Sequence, residues 1–291
     1  METKTPTLRQ FMERFPTEEA CLAHLMLMRF GDRHACDKCG KDAKFYRVKA
    51  RRSYACEHCG AQVYPTAGTP FDRTRTSLRD WFYVMFLFCS TRNGVAAKEV
   101  QRQIGVTYKT AWRMCHEIRK YMAKVDGDDM LGGEGERVEV DETLIGGKTK
   151  GQGKFREGKT YVLGMLERGG NVMTKVVSDA RRSTLLPEIT ANVAKGTEVH
   201  TDYLHSYRVL PEIGYIHKKV NHSSGQYVGP SGEGVNAIEG FWAQLKRGIN
   251  GTHIHVSPKH LATYLGEFEY RYNMRHAPHL MLARMMVSFA R

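Results

Sequence analysis

No run in this sequence is apolar for long enough to cross a bilayer. The longest, "WFYVMFLFC" (Trp81 to Cys89), falls far short of the roughly 20 residues a membrane helix needs. The opening "METKTPTLRQFMERF" lacks the basic-then-apolar order of a signal peptide, so a cytoplasmic protein with no membrane partner is expected. Internal repeats are absent, and so is low-complexity sequence beyond one short acidic, Gly-rich linker. With 41% hydrophobic residues among 291, global disorder is excluded as well. Acid is scarce at the front of the chain: residues 1–125 carry 23 Lys/Arg against 12 Asp/Glu, net +11, whereas residues 126–291 carry 21 against 19, net +2. A basic excess confined to one segment favours a polyanionic partner, most simply nucleic acid.

Cysteine is sparse, but four of the seven are grouped. "CDKCG" and "CEHCG" place Cys36, Cys39, Cys56 and Cys59 as two knuckles, each followed by glycine. Four thiolates at this spacing bind one structural Zn²⁺, and a ribbon too small for its own core folds around the metal. Cys21, Cys89 and Cys115 stand alone in apolar or helical contexts and read as buried thiols. Between the knuckles, "KDAKFYRVKARRSYA" interleaves aromatics with basic residues, Arg51 and Arg52 among them. A zinc ribbon presents such a stretch as a hairpin able to grip phosphate, although solvated strand faces look similar.

"GVAAKEVQRQIGVTYKTAWRMCHEIRKYM" (Gly94 to Met122) has the pattern of helix, glycine turn, helix. Ala96, Val100 and Ile104 fall on one face of the first helix, and Ala111, Met114, Cys115 and Ile118 repeat at helical spacing in the second. As a helix-turn-helix it would present Thr107, Tyr108, Lys109, Thr110 and Arg113 to a DNA major groove. A polar and basic first turn, against the usual acidic preference, favours that reading over a plain helical hairpin.

After the linker, strands are expected at Arg137 to Ile145, Thr160 to Glu167, Val172 to Ser178, Glu198 to Thr201 and near His217 to Asn221. Helices are expected around Thr184 to Ala194 and Asn236 to Ile249. This order permits one mixed sheet between helical layers. Alternation puts Val138 and Val140 on one face of the first strand and Glu139, Asp141 and Thr143 on the other. If the strand ending at Asp202 pairs beside it, two carboxylates meet and demand a cation or a proton. Mg²⁺ is the ordinary answer, with Mn²⁺ as its substitute. Glu239 is a third acid, on an amphipathic helix that carries Lys246 two turns further along the same face. Glu142 and Glu233 are the nearest substitutes for these acids. His205, His217, His222, His253 and His255 read as phosphate contacts or structural residues.

The phrases "VDETLIGGK", "HTDYLHSYR", "VNHSSGQYV" and "NAIEGFWAQLKRGINGTHIHVSPKHLATYLGEFEYRYN" resemble the DDE transposases of bacterial insertion sequences, in the ISXO-type group with an N-terminal zinc ribbon. The resemblance covers essentially the whole chain. Shifts in composition divide the chain at 75, 125 and 136, and with them the resemblance implies an α/β multidomain protein: a zinc-ribbon DNA-binding region over 1–75, a helix-turn-helix over 76–125, a linker over 126–136 and an RNase H-like mixed-sheet catalytic domain over 137–291. It further implies Asp141, Asp202 and Glu239 as the metal-binding triad, Lys246 as the lysine that follows it to contact DNA with Arg247 alongside, and a nucleoid-associated site of action. Asn236, one turn before Glu239, stays open as the third ligand. The implied partners are double-stranded DNA, as transposon ends and as target, and a second copy of the chain in a homodimer or larger assembly. A non-catalytic zinc-ribbon regulator with a dimerisation domain, and a structure-selective nuclease, are the alternatives.

Overall fold

Thr7, Thr17 and Ser77 each precede a run of helix formers and accept a backbone N–H from the first turn, and the chain begins as helices at those three points. The computed structural model describes residues 5–125, 129–146, 158–220 and 234–290, which divide into two compact units. The first is built from residues up to Thr91, Ala97–Tyr121 and the C-terminal segment from Ala277. It opens with α1 (Leu8–Arg14) and α2 (Glu18–Phe30), followed by two small antiparallel sheets. One pairs β1 (His34–Ala35) with β2 (Asp42–Ala43), and the other joins β3 (Phe45–Val48), β4 (Ser53–Cys56) and β5 (Gln62–Val63). Then come α3 (Leu78–Ser90), α4 (Ala97–Ile104) and α5 (Tyr108–Val125). The core of this unit is aromatic: Phe71 packs on Trp81, Phe82 and Phe289, and Phe15 meets Phe82 edge-on.

The second unit takes Arg92–Ala96 and Met122–His276. Its sheet contains β6 (Arg137–Ile145), β7 (Thr160–Glu167), β8 (Val172–Val177), β9 (Glu198–Thr201) and β10 (Ile216–Lys219), in the spatial order β10-β9-β6-β7-β8. β6, β7 and β8 form an antiparallel meander, while β9 runs parallel to β6 and β10 parallel to β9. Helix α6 (Arg182–Asn192) and the 3-10 helix His205–Ile213 cover one face, where Val138, Val140, Leu163 and Met165 meet Leu185, Ile189 and Tyr207. Helices α7 (Asn236–Gly248) and α8 (Pro258–Asn273) cover the other, where Ile145, Val162 and Leu166 meet Ile238, Trp242 and Phe268. A sheet buried on both faces needs apolar residues at successive positions, and β7 accordingly reads "YVLGML" with little polar alternation.

The expected strands and helices all occur, with ends moved by a residue or two. The division by composition departs from the division by packing at the C-terminus. There α9 (Met281–Ala290) packs against α2 and α3 in the first unit, because Phe289 completes the aromatic core around Phe71 and Trp81. His222, Glu233 and most of the loop after "GGK" lie outside the described residues.

Candidate functional site

Cys36 and Cys56 each begin a tight turn closed by a glycine: the N–H of Gly40 donates to the Cys36 carbonyl at 2.8 Å, and that of Gly60 to the Cys56 carbonyl at 3.0 Å. Both glycines adopt positive φ, 68° and 71°, which a side chain would resist. The turns bring the four thiol sulfurs of Cys36, Cys39, Cys56 and Cys59 within 4.8 Å of one another, with Cys36–Cys59 at 3.6 Å and Cys39–Cys56 at 3.9 Å. Those separations match the edges of a tetrahedron with Zn–S bonds of about 2.3 Å, so the sulfurs fit a structural Zn²⁺. Backbone N–H groups of Cys39 and Lys38 hold the Cys36 thiol down to about 7. Cys59 is pushed up to about 11, because burial and the three neighbouring sulfurs outweigh an Ala61 N–H that favours its thiolate. Around the sulfurs the apolar packing is small, Ala43 with part of Phe45 and Ala61, so the metal supplies cohesion that this cluster alone does not.

In the second unit, Val140 of β6 pairs with Thr201 of β9, which sets Asp141 and Asp202 at the next position of two parallel neighbours. Asp202 ends its strand by accepting the N–H of Leu204 on Oδ1 at 2.9 Å. Asp141 faces α7, where the indole N–H of Trp242 donates to its Oδ2 at 2.9 Å. Burial, followed by the charges of Glu142 and Asp202, pushes Asp141 up to about 7. Glu142, on the opposite face of β6, accepts from the buried phenol of Tyr207 at 2.6 Å. Glu239 and Asn236 are exposed in the first turn of α7. Among the described residues the four cysteines form the only group of three or more His, Cys, Asp or Glu with all ligand atoms within 4.8 Å. Asp141, Asp202 and Glu239 do not reach that spacing.

Helix α7 begins without a capping side chain of its own, since Val235 occupies the cap position. Glu139 serves instead: its Oε2 accepts the N–H groups of Ala237 and Ile238 at 2.8 and 3.0 Å, and its Oε1 pairs with Arg168 at 2.8 Å. Arg168 also donates to the Gly234 carbonyl, and the Gly234 N–H donates to Nδ1 of His200, whose Nε2 lies 2.8 Å from Glu198. A polar chain from β9 to the start of α7 thus fixes the helix that carries Glu239 and Lys246. A cleft of about 710 Å³ is lined by Glu142, Thr143, Lys159, Asp179, Arg181 and Lys246 among others, and Asp141, Asp202 and Glu239 do not line it.

Residues 130–273 match the family model described as an ISXO2-like transposase domain, and residues 16–62 match a transposase zinc-ribbon domain. A protein of the transposable element ISH50 from Halobacterium salinarum is 25% identical, over 89% of this chain and 92% of its own length. A transposase-like protein from Haemophilus influenzae is 34% identical over 35% of this chain and 80% of its own length. The chain belongs to the ISXO2-like transposase family. In this transposase the matched domain contains the whole acid-bearing sheet and both helices over Asp141, and it stops before α9, the helix that packs into the first unit.

Of the residues expected to touch DNA, Thr107, Tyr108, Lys109 and Arg113 are exposed at the start of α5, after a turn at Gly105 with φ 69°. Ala111, Met114, Cys115 and Ile118 are fully buried behind them. Arg51 is exposed on the β3–β4 hairpin, whereas Arg52 pairs with Glu18 at 2.7 Å and donates to the Thr74 carbonyl. Lys246 and Arg247 are exposed on α7. Sequence reasoning missed Trp242 as a polar partner, Glu139 as a remote cap and Tyr207 as the holder of Glu142. Gly164 was the readable signal for the first. It is the cross-strand partner of Asp141, and a Cβ there would sit 2.4 Å from the Trp242 ring.

Proposed function

We propose that this transposase binds the terminal inverted repeats of its own element and catalyses DNA strand cleavage and strand transfer at Asp141, Asp202 and Glu239. The observation that carries the reading is the parallel β6–β9 pairing, which sets two carboxylates at adjacent positions, one of them, Asp141, lifted to about 7 by burial first and then by the charges of Glu142 and Asp202. The strand order supports an RNase H-like catalytic domain, as the family resemblance implies. An all-oxygen donor set beside excess negative charge fits a hard divalent cation, so Asp141, Asp202 and Glu239, with Asn236 as the alternative to Glu239, would hold Mg²⁺ or Mn²⁺. Such a cation, when bound, supplies Lewis-acid stabilisation of phosphoryl charge.

The chain's own residues do the positioning. Trp242 fixes the Asp141 carboxylate, Glu139 fixes the helix bearing Glu239, and Lys246 offers positive charge to a phosphate in the cleft. Water attacks phosphorus at the transposon end, and the bond to the departing 3′ oxygen breaks to leave a 3′-OH. That hydroxyl then attacks a target phosphodiester, again exchanging one P–O bond for another. The zinc ribbon with Arg51, and α4–α5 as a helix-turn-helix with Thr107, Tyr108, Lys109 and Arg113, would recognise the repeat. Two ends joined in register call for a homodimer or larger assembly.

The test is incubation of the full chain with duplex copied from the DNA flanking its gene. Mg²⁺- or Mn²⁺-dependent cleavage followed by joining supports the reading. Binding without cleavage would favour the regulator, and cleavage without joining the nuclease.

A further inference from the structure

Ile254 breaks two rules at once. It is 82% exposed, the highest value among the exposed large hydrophobic side chains, and its backbone sits at φ 65°, ψ −48°. The N–H of His255 donates to the His253 carbonyl at 2.6 Å, closing a γ-turn of the rare positive-φ form with Ile254 at its centre. A β-branched residue there is strained, and such strain persists only where the surroundings impose it.

The surroundings do impose it. On one side Val256 is buried in the α7–α8 core. On the other, the His253 ring packs edge-on against Tyr264 at 4.8 Å, and Gly94 leaves it room, since a Cβ there would lie 2.7 Å from His253 Nε2. The turn is therefore clamped at both ends, with its one large apolar side chain pinned outward. From Gly240 to Gly266 the sequence contains no Asp or Glu, while Lys246, Arg247, His255 and Lys259 are exposed. A protein partner would call for a contiguous apolar patch, but the exposed neighbours Asn250, Gly251 and His255 do not provide one. A rigid apolar tip on a basic surface matches the wedges that DNA-bending proteins drive between base pairs.

We propose that Ile254 inserts into duplex DNA held at the acid site and unstacks the base step beside the phosphodiester to be cut. The inference rests on the transposase reading above: Lys246, in the helix that leads through the π turn Ile249–His253 to Ile254, lines one cleft with Glu142 and Thr143, the residues that follow Asp141 in β6.

The experiment uses the full chain and a duplex copied from the DNA flanking the gene, with 2-aminopurine at the terminal steps. Wild type should raise its fluorescence on binding. Ile254→Gly should unfold at the same temperature or higher, because glycine accepts positive φ, so that lost activity cannot be lost folding. It should bind the duplex yet leave the fluorescence flat and cut it roughly tenfold or more slowly, while cutting a duplex mismatched at the end step at near wild-type rate, since an unpaired step costs little to open. Wild-type binding with no fluorescence change, or full fluorescence and cleavage by Ile254→Gly, overturns the wedge and leaves the transposase reading standing. Equal slowing on paired and mismatched substrates assigns Ile254 a structural role and also overturns it. Failure of wild type to bind the duplex overturns both.

Discussion

Trp242 donates its indole N–H to Asp141 from above Gly164, the residue paired with Asp141 across β6 and β7. Three positions far apart in sequence thereby fix one carboxylate oxygen. The aspartate is held against burial and against two neighbouring acids, so the fold bears an electrostatic cost at the point where chemistry is proposed.

That cost sets a pH dependence. Asp141 titrates near 7 in the folded chain, above its unfolded value of about 3.9, so its favourable contribution is complete below pH 4 and is lost as pH rises toward 7. The shift amounts to about 4 kcal/mol. Asp141→Asn should remove this slope and, without divalent cation at pH 8, unfold several degrees above wild type while losing strand transfer. Mg²⁺ should raise the wild-type transition and not that of the variant. Thermal unfolding at pH 5 and pH 8, with and without Mg²⁺, checks this.

Gly164→Ala places a methyl group 2.4 Å from the Trp242 ring and 2.8 Å from Ile238. The indole must move, at a cost of about 1–3 kcal/mol in stability. Because Asp141 loses its donor, cleavage should fall further than a stability loss of that size accounts for. Urea unfolding paired with cleavage rates separates the two effects.

Glu139→Ala removes the remote cap of α7 and the partner of Arg168. We expect a loss of about 3 kcal/mol, the lower end for breaking a buried pair, because Arg168 keeps partial access to water. Backbone hydrogen exchange should quicken first at Ala237 and Ile238.

Zinc removal should act on the first unit alone. One Zn²⁺ per chain is expected, and a strong chelator, or Cys39→Ser, should unfold the β1–β5 region and abolish end binding. Near-ultraviolet dichroism should still report the buried Trp242 of the second unit. A ribbon that stays folded without metal would contradict the assignment.

Much of this architecture is legible in the sequence. The alternation around Val138 and Val140 marks β6, and the spacing of Cys36, Cys39, Cys56 and Cys59 marks the ribbon. What escapes depends on tertiary partners. Trp242 reads as one more apolar position on α7, since nothing local shows that its N–H meets Asp141. Glu139 reads as a strand-face acid, although Val235 at the cap position signals that α7 needs a partner from elsewhere. Nothing local to α9 says which core receives it, and it is Phe71 and Trp81 of the first unit that do. The adjacency of Asp141 and Asp202 required the β6–β9 pairing, which the order of elements permits but does not dictate.

The central claim is that Asp141 and Asp202 carry the reaction, and strand transfer of an end-bearing duplex into target DNA under Mg²⁺, measured beside end binding, tests it most directly. Asp141→Ala and Asp202→Ala should each abolish cleavage and joining while binding the end as tightly as wild type. Strand transfer that survives in either variant would contradict it.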